Sequence, residues 1–140
     1  MNMERNQGIQ FLSREEIRAY QEKRMAEALD YVSKNSPFYS KVFSDNHIDI
    51  SKTRTPDALS FIPVTTKPDL QSRNQDFVCV PPSEIVDYPT TSGTLGDPVT
   101  FAETESDLEH LAYNEFLSFS TAGCTRDDII QLMVTIDRRF

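Results

Sequence analysis

From Thr90 to Pro98 the chain reads Thr90-Thr91-Ser92-Gly93-Thr94-Leu95-Gly96-Asp97-Pro98, the one stretch whose residue types and spacing suit chemistry on a charged group. Gly93 and Gly96 remove Cβ atoms where a backbone must approach an anion, and they admit positive φ. Successive amide N–H groups in such a turn point into one concavity and make a nest for a phosphate. Thr90, Thr91, Ser92 and Thr94 add hydroxyls, neutral donors able to follow a phosphate as it moves. An anion held by oriented dipoles needs little reorganisation during reaction, which suits phosphoryl or adenylyl transfer. Two hydroxyl residues, Gly, a third hydroxyl residue, any residue and Gly arise by chance in about one chain per thousand of this length. The Gly-Lys-Ser/Thr of a Walker loop does not follow. The competing reading is a plain glycine-rich hairpin with solvated hydroxyls.

Other residues invite weaker functional readings. Lys67 could meet a phosphate, but a lysine just inside a helix start is expected to be solvated. Asp127 and Asp128 resemble a metal pair, yet just before a strand they read as turn residues. His110, beside Glu109, reads as solvated. Tyr113, Phe116 and Phe119 would suit an aromatic pocket, while helical spacing makes Phe116 and Phe119 core residues. Arg139 and Phe140, just past a strand end, read as core or solvent rather than as the start of a pocket. Cys79 and Cys124 are far apart and, with His47 and His110, lack zinc-ligand spacing, so they are expected to be reduced, mostly buried thiols of a cytosolic protein. No metal site is expected.

The elements that position the loop follow from patterning. Ser13 and Glu16 form a capping box that opens a long helix with Ile17, Tyr20, Met25, Ala28, Tyr31 and Val32 on its apolar face. Ser36-Pro37 punctuates and starts a short second helix that buries Phe38, Val42 and Phe43. Thr55-Pro56 and Thr66-Lys67-Pro68-Asp69 both read as a capping Thr followed by Pro in the first helical turn. Phe61, Ile62 and Val64 are expected to anchor the connector to the core. After Pro81-Pro82 the pattern turns to strand: Ile85–Thr90, then Val99–Ala102 beyond the loop. Thr104 and Asp107 cap a helix with the stripe Leu108, Leu111, Ala112, Phe116 and Phe119, and Gly123 stops it. Ile129–Ile136 reads as a strand covered on both faces, as in a parallel sheet. Strand, loop, strand, helix, strand is the order of an α/β layer.

At 140 residues, with 38% hydrophobic and 26% charged residues, the chain can bury one domain's core. No apolar run approaches the ~18 residues of a membrane span, and the polar start lacks the apolar stretch of a secretory signal. Against 22 acidic residues stand 14 basic ones, net −8, which argues against nucleic acid or a membrane as partner. Phosphates must then be held by local dipoles and a metal rather than by the overall field.

Thr91-Ser92-Gly93-Thr94-Leu95-Gly96-Asp97-Pro98 resembles the phosphate-binding signature of the adenylate-forming superfamily. Asn35–Phe43, Leu59–Leu70 and the acidic-led Glu84-Ile85-Val86 resemble segments of one branch, the phenylacetate–coenzyme A ligases, so that the similarity covers most of residues 13–136. The resemblance implies the N-terminal part of the large domain of such an enzyme, a helical N-terminus followed by the start of a mixed or parallel sheet. It divides the chain into a flexible 1–12, a helical 13–82 and an α/β nucleotide-binding start, 83–140, truncated at Phe140. Thr91, Ser92, Gly93, Thr94, Leu95 and Gly96 would hold the β- and γ-phosphates of ATP. The full protein would use ATP, Mg²⁺ and coenzyme A in the cytoplasm to turn a small carboxylic acid, an aryl acid by preference, into an acyl-adenylate and then a thioester. A homodimer is the candidate assembly. The ribose-binding acid, adenine-contacting strand, hinge and C-terminal lysine would lie beyond Phe140, so no catalytic residue is expected here and this portion alone is expected to be inactive. Asp97 and Val99 occupy the positions where the superfamily usually carries a lysine, and Leu95 replaces a common threonine. The alternatives are a nucleotidyltransferase that adenylates a cofactor, or a non-catalytic anion-binding module.

Overall fold

A computed structural model of the chain describes residues 9–92, 97–131 and 133. The chain divides between Val80 and Pro81 into two compact units.

The first unit opens with a 3₁₀ turn at Ile9–Phe11 and then helix α1, Arg14–Asn35. The expected capping box is formed: the Ser13 amide donates to the Glu16 carboxylate at 2.9 Å and the Glu16 amide to the Ser13 hydroxyl at 3.3 Å. Hydrogen bonding to the carboxylate, first from the Ser13 amide and then from the Ser13 hydroxyl, holds the Glu16 carboxyl below its ordinary range. The buried residue of α1 is Leu29, which the expected apolar face omitted, whereas Ala28 and Tyr31 are exposed. Heavily charged turns on α1 blur the stripe, and the neighbouring helix decides which residue is covered. Exposed ion pairs, Arg54 with Asp30 and Arg18 with Asp57 at 3.0 Å each, tie α1 to later segments and contribute little apiece.

Ser36 is the hinge of this unit. It ends α1, caps α2 (Pro37–Asp45), and is 1% exposed. Its hydroxyl donates to the Asp76 carbonyl at 2.9 Å, forty residues away, and accepts from the Tyr39 amide at 3.3 Å. Phe38 and Phe43 are buried as expected. Phe38 stacks on Phe77 with centroids 4.0 Å apart, and the Arg73 guanidinium lies 4.9 Å from the Phe38 ring centre while bonded to Asp76 at 2.8 Å. The 3₁₀ turn Asn74–Phe77 is thus held through both its carbonyl and its ring. α2 ends in a Schellman arrangement: the His47 amide donates to the Ser44 carbonyl and the Ile48 amide to the Phe43 carbonyl. His47, not glycine, takes the left-handed position, with φ 52°.

The connector forms brief helical turns at both expected starts, but two details differ. Pro56–Phe61 is a 3₁₀ helix and Thr55 makes no side-chain capping bond. Phe61 and Val64 are 75% and 85% exposed, so they do not anchor it to the core. Helix α3, Lys67–Ser72, starts as expected, with Thr66 and Asp69 forming a capping box. The Thr66 hydroxyl and then its amide hold the Asp69 carboxyl low.

The second unit begins with a 3₁₀ turn, Pro82–Glu84, and strand β1, Ile85–Asp87. Its partner is β2, Glu103–Thr104, antiparallel, with Ile85 opposite Thr104 and Asp87 opposite Glu103. Two steps along β1 oppose one along β2, leaving Val86 as a bulge. The second strand was expected at Val99–Ala102. Its regular part lies just after, and Val99–Phe101 instead form the neck of a hairpin through an isolated bridge, Thr90 to Thr100. Pro89 explains the shift, because it has no N–H to donate and interrupts the ladder.

Thr104 and Asp107 form the expected capping box of α4, Glu105–Thr121. Gly123, at φ 90°, ends it with amide bonds from Gly123 to Ser120 and Cys124 to Phe119. The α4 stripe is not a core: Leu111, Phe116 and Phe119 are 48%, 61% and 43% exposed. Leu108, at the end near β2, is the half-buried member of the stripe, and the rest of it is left exposed among the described residues. The double-covered strand expected at Ile129–Ile136 is likewise not formed where it is described: Ile129, Ile130 and Gln131 are irregular and exposed, as is Met133, and the rest lies outside the described residues. A central strand needs neighbours on both edges, and the described sheet has only two strands, paired with each other. The fold is α/β, helical first and then a small sheet, with the described pairing antiparallel.

Two substitutions test this account. Ser36→Ala removes a cap and orphans a half-buried carbonyl, and should lower the urea-unfolding free energy by about 2 kcal/mol. His47→Gly relieves the left-handed strain and should raise it by about 0.5–1 kcal/mol, since glycine's greater unfolded-state freedom offsets part of the gain.

Candidate functional site

Hydrogen bonds between its arms close the base of the hairpin whose loop carries the phosphate signature. The Phe101 amide donates to the Pro89 carbonyl at 2.9 Å and the Thr91 amide to the Val99 carbonyl at 2.9 Å. The Val99 amide donates to the Thr91 hydroxyl at 3.0 Å. Thr90 and Thr100 face each other between these bonds as a non-hydrogen-bonded pair, the closer-spaced kind in an antiparallel ladder. Val99, 3% exposed, is the most buried apolar side chain described and pins the outgoing arm. A loop with both arms fastened so close together has little freedom at its ends.

The sequence-derived phosphate ligands divide accordingly. Thr91 sits at the neck and is exposed, with its amide taken up by Val99. Ser92 follows it and is exposed, as are Asp97 and Pro98 on the returning arm. Gly93, Thr94, Leu95 and Gly96 lie outside the described residues. Thr91 therefore enters the site differently from the expectation: its amide belongs to the hairpin and its hydroxyl accepts a main-chain bond. Sequence reasoning missed Val99 and Thr100 as parts of the site, although Thr-Thr before and Val-Thr after a glycine loop is a cross-strand pairing signal.

The weaker candidates take ordinary places. Lys67 is exposed in the first turn of α3. His110 is half-buried on α4 rather than fully solvated. Asp128 accepts from the Thr125 amide at 2.6 Å and the Thr125 hydroxyl at 3.1 Å, which makes it a turn residue, and those bonds hold its carboxyl low. Among the described residues no group of three or more His, Cys, Asp and Glu side chains is placed to hold a metal ion. Cys79 and Cys124 are both free and half-buried, and burial pushes the Cys79 thiol up. Arg139 and Phe140 lie outside the described residues. No described helix is long and apolar enough to cross a membrane.

With this geometry established, comparison with known proteins identifies its class. The fold matches the N-terminal part of an adenylate-forming acid–coenzyme A ligase. 2-Hydroxyisobutyryl-CoA ligase, in a crystal structure with 2-HIB-AMP and CoA, superposes at TM-score 0.66 with 26% identity over 74% of this chain and 23% of its own. A second structure of that ligase, with 2-HIB-AMP in the postadenylation state, shares the fold at the same TM-score and 24% identity. More particularly, the chain is similar to phenylacetate–coenzyme A ligases. That of Thermus thermophilus is 32% identical over 116 residues, 82% of this chain and 26% of the relative. That of Escherichia coli is 29% identical over 125 residues, 89% of this chain and 29% of the relative. No family model matches the chain. The chain spans little more than a quarter of the length of these curated relatives.

Val99→Ala should release the outgoing arm and lower unfolding stability by about 2 kcal/mol, two methyl groups plus the void they leave. A urea titration following the second unit checks it.

Proposed function

We propose that the protein carrying this chain is an ATP-dependent acid–coenzyme A ligase, and that the hairpin closed by Thr91 and Val99 presents the loop that grips ATP's phosphates. The single observation that supports this most is the position of the signature on a tightly closed β-hairpin, in a fold matching that of a coenzyme A ligase. In the proposed reaction a carboxylate substrate attacks the α-phosphate of Mg·ATP, giving an acyl-adenylate and pyrophosphate. The thiol of coenzyme A then displaces AMP to give the thioester. The loop's part is positioning and charge stabilisation by dipoles, with no protein nucleophile.

Magnesium enters as part of the substrate Mg·ATP, in keeping with a small ion that binds through phosphates and one or two carboxylates. An aryl acid is the preferred substrate class, supported by the similarity to phenylacetate–coenzyme A ligases. Cytoplasmic location and a homodimer complete the reading. The six residues Thr91 to Gly96 remain the proposed phosphate contacts, with the Thr91 amide withdrawn from the set because Val99 holds it. The acidic Asp97 favours one rival, an anion-binding module without catalysis, since a carboxylate beside a triphosphate is repulsive.

Acid-dependent ATP–pyrophosphate exchange by the full-length protein tests the proposal, with aryl and alkyl acids compared. Exchange that saturates with Mg·ATP and is fastest with an aryl acid is the expected result. Saturable binding of Mg·ATP without exchange would favour the module. Asp97→Lys replaces a repulsive charge by an attractive one and should lower the KM for Mg·ATP about three- to tenfold at low salt, with less effect at high salt.

A further inference from the structure

We draw no further inference here: the strongest candidate, the exposed apolar face of α4 formed by Leu111, Phe116 and Phe119, carries none because nothing in the structure shows what covers it.

Discussion

A loop can present backbone amides to an anion only if the chain that carries them is tied down. In this molecule the tie is the bonding between Thr91 and Val99, one bond through the backbone and one through a hydroxyl. Together they hold the two arms of the hairpin at its neck. Val99 adds the apolar burial, and Thr90 opposite Thr100 adds the close pairing that keeps the arms in register. A net charge of −8 offers an anion no attraction from a distance.

The first unit applies the same economy with different chemistry. A hydroxyl again bridges distant backbone, here from Ser36 to Asp76, and again does so from the end of a regular element. Around it Phe38, Phe77 and Arg73 stack ring on ring and cation on ring, so a short stretch of 3₁₀ turns is held against two helices. The non-glycine left-handed residue, His47, shows that the turn after α2 is imposed by its two Schellman bonds and not by its own preference.

Both units leave apolar surface uncovered among the described residues: Phe61 and Val64 in the first, Phe116, Ile129 and Met133 in the second. Such residues mislead a reading based on hydrophobicity, because periodicity reports which residues would be buried by a neighbour and not whether one is present. The expected core of α4 and the described part of the expected double-covered strand are exposed for this reason. The connector's short helical starts were legible, but the exposure of Phe61 and Val64 was not, since short turns have no period to project.

What could be read from the chain itself was everything encoded within a few residues. Ser13 with Glu16, Thr66 with Asp69 and Thr104 with Asp107 each close a hydrogen-bonded ring between residues three apart, so their geometry is local and their helices start where the letters say. Pro37 and Gly123 act through their own φ angles, and the glycine-punctuated signature is likewise a run of neighbours. Only the tertiary structure decided the contacts across distance: that Leu29 and not Tyr31 is buried on α1, that Ser36 reaches Asp76, and that Thr91 turns its hydroxyl to Val99. A hydroxyl can donate or accept in many directions, so its type shows that it will bond, and only the fold brings the partner that settles where.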